Sequence, residues 1–163
     1  MKKTLIFLLL VSIQFVNSQE LALVKKNSKI GYITKDGSFK IEPQYKSAKS
    51  FSEGLAAVEN GGKWGFIDAK GAWVIPAEFS NAKDFNSGIA IVQKDKEWVY
   101  INTKGEILKA PASEKLYDFN DGVAFIKQGN KVGLINSKMA IVLEPKYDQI
   151  KPFENGYARV ELN

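Results

Sequence analysis

The chain has 163 residues, of which 45% are hydrophobic and 12% aromatic, enough apolar material for one domain to bury a core. Cysteine and histidine are both absent, which excludes disulfides, ordinary zinc sites, and Ser-His or Cys-His nucleophilic chemistry. The formal net charge is +5, a mild balance that does not point to nucleic acid as a partner.

The first eighteen residues read as a signal peptide. Lys2 and Lys3 make a positive start, Leu5 to Ile13 is an apolar run, and Val16-Asn17-Ser18 precedes Gln19. The run falls short of the about 20 apolar residues a membrane-spanning helix needs, so no transmembrane segment is expected. No lipid-accepting Cys follows it. Residues 1–18 are thus expected to direct export to the periplasm or the cell exterior and 19–163 to form a single repeat domain. Loss of Lys2 and Lys3 from a chain of +5 leaves it at +3.

From residue 21 onward a period of 34 runs without a gap. Ile30, Trp64, Trp98 and Val132 form one column; Ile33, Ile67, Ile101 and Ile135 another. Phe51, Phe85, Phe119 and Phe153 recur together, as do Gly54, Gly88, Gly122 and Gly156, and Ala56, Ala90, Ala124 and Ala158. One structural unit is therefore built four times.

Each unit reads as short strands. Lys63 to Asp68 has apolar residues on both faces, which predicts a strand packed on both sides, with Gly65 leaving a gap beside Trp64 and Phe66. Asp68-Ala69-Lys70-Gly71 is a tight turn into a returning strand, Ala72 to Ile75, which Pro76 is expected to end. A third strand follows at Gly88 to Val92. Asn60-Gly61-Gly62 and Asp95-Lys96 are the turns by which third strands lead into the next unit. The Phe79, Ala82, Phe85 spacing suits a tight turn or 3₁₀ stretch better than a strand. Frequent Gly and Pro, with Val, Ile and aromatic enrichment, argue against helix.

Five segments match the third strand against four copies each of the first and second. That bookkeeping favours all-β, antiparallel meander repeats stacked as an open, solenoid-like array, with a small propeller-like ring as the alternative.

The third unit departs from the pattern. Val99 stands where Gly31, Gly65 and Gly133 stand, so this unit must open to admit a side chain. Ser113 replaces the aromatic Tyr45, Phe79 and Tyr147. In the fourth unit Met139 replaces the turn glycines Gly37, Gly71 and Gly105, and is expected to change the turn type, because a left-handed Met costs roughly 1–2 kcal/mol.

Lys63-Trp64-Gly65-Phe66-Ile67-Asp68, followed by Gly71, Val74-Ile75-Pro76, Phe79, Phe85, Gly88 and Ala90, resembles the bacterial WG repeat, over about 21 to 160. Only Trp64-Gly65 keeps the Trp-Gly pair; the other units read Ile30-Gly31, Trp98-Val99 and Val132-Gly133. The resemblance implies tandem β-repeats in proteins that are often exported and share no enzymatic activity.

No residue reads as catalytic and no cofactor or metal is implied. Paired carboxylates could serve a polysaccharide hydrolase, but Asp68 recurs as Asn102, Asn136 and Thr34, a turn-opening role, while Asp84 and Asp118 read as loop carboxylates. Asp118 to Gly122 lacks the spacing and closing Glu of a calcium loop. Trp64, Phe66, Trp73 and the recurring Phe residues fall in apolar columns and are expected in the core. Tyr117 stands in the polar column of Lys49, Lys83 and Lys151 and is expected to be exposed. These four residues are the candidate binding residues: three lysines repeating as a basic stripe, with Lys29, Lys63 and Lys131 as a second, suited to an anionic partner. The reading is a non-catalytic exported scaffold that binds a protein or an anionic glycan at the cell envelope; the alternatives are the hydrolase and a structural spacer.

Overall fold

A computed structural model describes residues 21–151 and 158–162. The proposed signal segment and Phe153, Gly156 and Tyr157 lie outside the described residues.

The recurring element is a three-stranded antiparallel meander. The first comprises β1 (Ala22–Lys26), β2 (Lys29–Ile33) and β3 (Phe39–Tyr45); the second β4 (Leu55–Asn60), β5 (Lys63–Asp68) and β6 (Trp73–Phe79). A two-residue strand, β7 (Asn81–Ala82), precedes the third meander of β8 (Ile89–Lys94), β9 (Glu97–Asn102) and β10 (Ile107–Leu108). The fourth consists of β11 (Val123–Gln128), β12 (Lys131–Asn136) and β13 (Ile141–Tyr147), followed by the paired β14 (Gln149–Ile150) and β15 (Val160–Glu161). The third-strand segments β1, β4, β8, β11 and β15 number five against four each of the other two kinds, as the sequence implies. No strand of the first sheet pairs with one of the last among the described residues, and the array is open.

Two-residue turns link each third strand to the central strand that follows. Gly61 and Gly62 have φ of 61° and 80°, and Asp95 and Lys96 have 50° and 71°, the twist a tight hairpin requires.

The central strands are packed on both sides, and this builds the core between units. On one side of β5, Ile67 joins Tyr32, Ile41, Tyr45, Ala56 and Val58 of the first cluster. On the other, Phe66 joins Ile75, Phe79, Phe85 and Ile101 of the second. A third cluster takes Tyr100, Phe119, Ile126 and Ile135. No meander buries its faces alone, so each is stabilised by its neighbours. Edge-to-face ring pairs recur at the same columns: Tyr32 with Phe51, Phe66 with Phe85, and Tyr100 with Phe119, at 4.8, 4.7 and 5.4 Å between centroids.

Pro76 does not end the returning strand. β6 continues to Phe79 through a bulge: Phe66 pairs with Ile75 but Trp64 with Phe79, so four residues of β6 span two of β5. Proline is accommodated there because the bulge interrupts the ladder. Gly65 is explained by the same geometry. A Cβ at Gly65 would lie 2.6 Å from the Ile75 carbonyl oxygen and 2.7 Å from the Ala77 nitrogen, so glycine is required by the close approach of backbone rather than by a gap between side chains.

The connecting segment also differs from expectation. Asn81 and Ala82 pair with Gln93 and Val92 as a short fourth strand, and Gln149 and Ile150 pair with Glu161 and Val160. Ala82 and its equivalent Ile150 are both buried, so the segment packs closely enough to form backbone hydrogen bonds with the neighbouring strand. Met139 keeps the left-handed turn, at φ 61°, instead of changing its type. Its side chain packs on the third cluster with Leu108, Ala110 and Leu116, which offsets the backbone strain.

Candidate functional site

The third unit opens where its sequence departs from the others. β3, β6 and β13 each have seven residues, whereas β10 has two. Val99 occupies the glycine position against which the bulge would press, and a side chain there keeps residues 109 to 113 from following the regular path. The aromatic that would have covered Trp98 is Ser113. Its hydroxyl donates to the Lys115 carbonyl at 2.8 Å and accepts from the Lys127 N–H at 3.0 Å, drawing the segment toward β11.

Trp98 is left 43% exposed. Trp64, its equivalent one unit earlier, is half-buried and paired with the fully buried Phe79. The vacated space is a groove of about 420 Å³ lined by Trp98, Ile91, Leu116, Ser113, Glu114, Lys115 and Lys83, within the roughly 300–1,000 Å³ common for small-ligand sites. The groove joins an exposed indole and a buried aliphatic floor to a charged rim.

The lysine column is matched by an acidic one. The Lys83 ammonium donates to both Asp118 carboxylate oxygens at 2.8 and 3.1 Å, and Lys49 lies 3.9 Å from Asp84. Each pair joins one unit to the next and is surface-exposed, so each contributes at most about 1 kcal/mol. Lys49 and Lys83 thus form a ladder of alternating charge. Lys151 is exposed, and its N–H donates to the Arg159 carbonyl at 2.9 Å, as the Lys49 and Lys83 N–H groups do to Ala57 and Ile91. Of the second column, Lys131 pairs with Asp148 at 2.8 Å.

Tyr117 is half-buried, not exposed. Its ring lies edge-on to Phe125 at 5.9 Å, and the Lys115 ammonium sits 4.7 Å from its centroid. Its backbone is held by Tyr100, whose hydroxyl donates to the Tyr117 carbonyl at 2.6 Å and accepts from its N–H at 3.0 Å. Elsewhere this N–H would bond the adjacent strand; Tyr100 replaces that bond in the opened unit. Burial pushes the Tyr100 hydroxyl up to about 12; the Tyr117 backbone bond opposes this and Asp118 adds to it. Tyr32 makes the corresponding bond to the Lys49 carbonyl at 2.6 Å and is also raised, chiefly by burial.

The carboxylates weighed for hydrolysis are engaged in structure. Asp68 accepts from the Lys70 and Ala72 N–H groups at 2.8 and 2.9 Å, as Asn102 and Asn136 do in their turns. Thr34 heads the first such turn, where hydrogen bonds from Thr34 and Ser38 lower the Asp36 carboxyl to about 2. Asp84 and Asp118 hold the lysine ladder. Among the described residues no three carboxylates gather as an ion-holding group.

Two exposed tryptophans escaped the sequence reading. Trp98 became visible only through loss of its partner. Trp73 was expected in the core but is 41% exposed, because it opens the outer strand β6 at the rim of the first cluster, where it meets Tyr45 edge-on at 6.3 Å. Phe39, Ile107 and Ile141 occupy its column and are likewise exposed, a recurrence that could have flagged an outward-facing position.

Stacked meanders, inter-unit cores and an opened third unit define a tandem β-repeat protein. The chain belongs to the WG containing repeat family, whose profile matches residues 30–64, 64–98, 100–131 and 133–163. No curated protein and no solved structure matches it. The family is in general a non-enzymatic one, with repeats suited to binding or to structure, and no helix among the described residues is long and apolar enough to cross a membrane.

Proposed function

We propose that this protein is a non-catalytic binding scaffold whose contact site is the groove of the third unit. The observation that carries the reading is Trp98, left 43% exposed beside an aliphatic floor because Val99 and Ser113 depart from the repeat. Burial of a solvent-facing indole by a partner is favourable by on the order of 1.5–3 kcal/mol, and the regular units, whose equivalent space is filled by Tyr45 or Phe79, serve as the frame. The partner is a protein or an anionic glycan of the cell envelope. Export by the segment 1–18 accompanies this reading and predicts a mature N-terminus at Gln19 on sequencing of the exported protein.

The site is tested with immobilised protein and a Trp98→Ala control, presented with solubilised envelope proteins and a panel of soluble polysaccharides. Retention by the parent and loss with Trp98→Ala is expected. Equal retention by both, or by neither, would remove the groove as the contact and leave a spacer role.

A further inference from the structure

The groove has a shape that the repeat itself specifies. In the second unit Trp64 faces Phe79 across the sheet, and in the first Ile30 faces Tyr45. In the third the column residue is Ser113, which lines the groove together with Trp98 and brings no ring to it. A ligand that supplies a six-membered ring completes the packing the other units already have. The indole face favours polarised C–H groups or flat rings.

The rim then selects by charge. Lys83 is committed to Asp118, and Glu114 is paired with Lys127 at 3.2 Å. Lys115 has no carboxylate partner among the described residues, and its ammonium rests 4.7 Å from the Tyr117 ring centroid. The rim therefore carries one uncompensated positive charge, which disfavours a cationic ligand and can receive a carboxylate. The Ser113 O–H is already donated to the Lys115 carbonyl, so it has no proton to offer a ligand carboxylate.

We infer that the groove binds an acidic glycan, with a uronate pyranose ring stacked on Trp98 and its carboxylate on Lys115. This rests on the binding-scaffold reading above and names its ligand class. A uronate is favoured over an aromatic peptide side chain because it brings both a ring whose C–H face suits the indole and a carboxylate for the uncompensated Lys115, while its hydroxyl groups can face the charged, open rim.

Isothermal titration with tetragalacturonate, its methyl ester and an acidic phenylalanine-containing peptide tests this. Binding of the free acid is expected, weakening with added salt. The methyl ester and the surface variant Lys115→Gln should each bind about tenfold more weakly. Ser113→Phe, which restores the missing ring from within, should abolish binding, with its fold checked by thermal melting. Equal binding of acid and ester, binding unaffected by Trp98→Ala, preference for the peptide, or no binding of the tetragalacturonate would overturn the inference. If the glycan fails while Trp98→Ala still abolishes retention of another partner, only the ligand class falls and the scaffold reading stands.

Discussion

Replacing Gly65 by Ala should convert the second unit into a likeness of the third. The added Cβ would stand 2.6 Å from the Ile75 carbonyl oxygen and 2.7 Å from both the Pro76 carbonyl carbon and the Ala77 nitrogen. All three are backbone atoms, so the bulge of β6 must move as a body. Phe79, which is fully buried, would lose its place beside Trp64. Release of one large apolar side chain costs about 1.5–3 kcal/mol, and two ladder hydrogen bonds lost with it add about 0.5–1.5 kcal/mol each. The expected loss is about 3–5 kcal/mol, or on the order of 10 °C in Tm for a chain of this length. Urea and thermal unfolding report the stability, and tryptophan emission should shift to the red as Trp64 becomes exposed. Gly62→Ala is the control: nothing lies within 4 Å of its Cβ position, but its φ is 80°, so only backbone strain of about 1 kcal/mol is expected. A Gly65→Ala protein with a loss below about 1 kcal/mol and unchanged emission would refute the close-approach argument.

Tyr100 is neutral when folded and its pKa is raised from 10.0 to about 12, so its contribution is fully present below the unfolded value of 10.0 and is lost as pH rises through about 12. Equilibrium unfolding followed with tyrosinate absorbance should show stability falling from about pH 10 upward; stability that rises across this window would contradict the assignment. Tyr100→Phe should remove on the order of 1–3 kcal/mol, because it leaves both polar backbone groups of Tyr117 without the hydroxyl, and amide exchange at Tyr117 should accelerate. Lys83→Ala should cost at most about 1 kcal/mol and less at high salt; a salt-independent loss of several kcal/mol would mean that the exposed pair with Asp118 is more than a surface ion pair.

Where the sequence repeats, it could be read, because recurrence in one chain identifies positions under the same physical demand. The paired burial of Phe66 and Ile67 on opposite sides of β5 follows directly from an apolar residue at each of two successive positions. Pro76 misled because its effect depends on register. A proline ends a strand that continues in simple pairing, but it is tolerated at a bulge, and the bulge is specified by Gly65 on the neighbouring strand, eleven positions away. Trp73 misled for a related reason. Its column is apolar in every unit, yet apolar character alone does not distinguish a core position from one at the rim of an outer strand. Tyr117 shares the backbone place of the lysine column, but a ring there packs edge-on to Phe125 beneath the Lys115 ammonium, a contact that the polar character of the column does not reveal.

The opened unit lies inside the array and not at an end, and the surrounding sequence accommodates it. Loss of the regular β10 path removes the counterparts of Ile75 and Phe79, where the chain has Lys109 and Ser113. The turn of the following unit normally presents a glycine to that region: Gly71 lies over Ile41, and Gly105 over Ile75 with a Cβ position only 3.0 Å away. At the next step the residue is Met139, whose longer side chain joins Leu108, Ala110 and Leu116 against the third cluster. A flexible thioether is suited to such irregular space. The strain of its positive φ is therefore tolerated where the unit before it has withdrawn. Val99, Ser113 and Met139 form one linked alteration spread over two repeats: the first two open the groove, and the third seals the core beneath it. Met139→Gly tests that linkage, since it relieves the backbone while emptying the fill. In an otherwise regular unit it would stabilise; here it should instead raise amide exchange in β10 and the segment that follows, and unchanged exchange there would separate Met139 from the opening of the third unit.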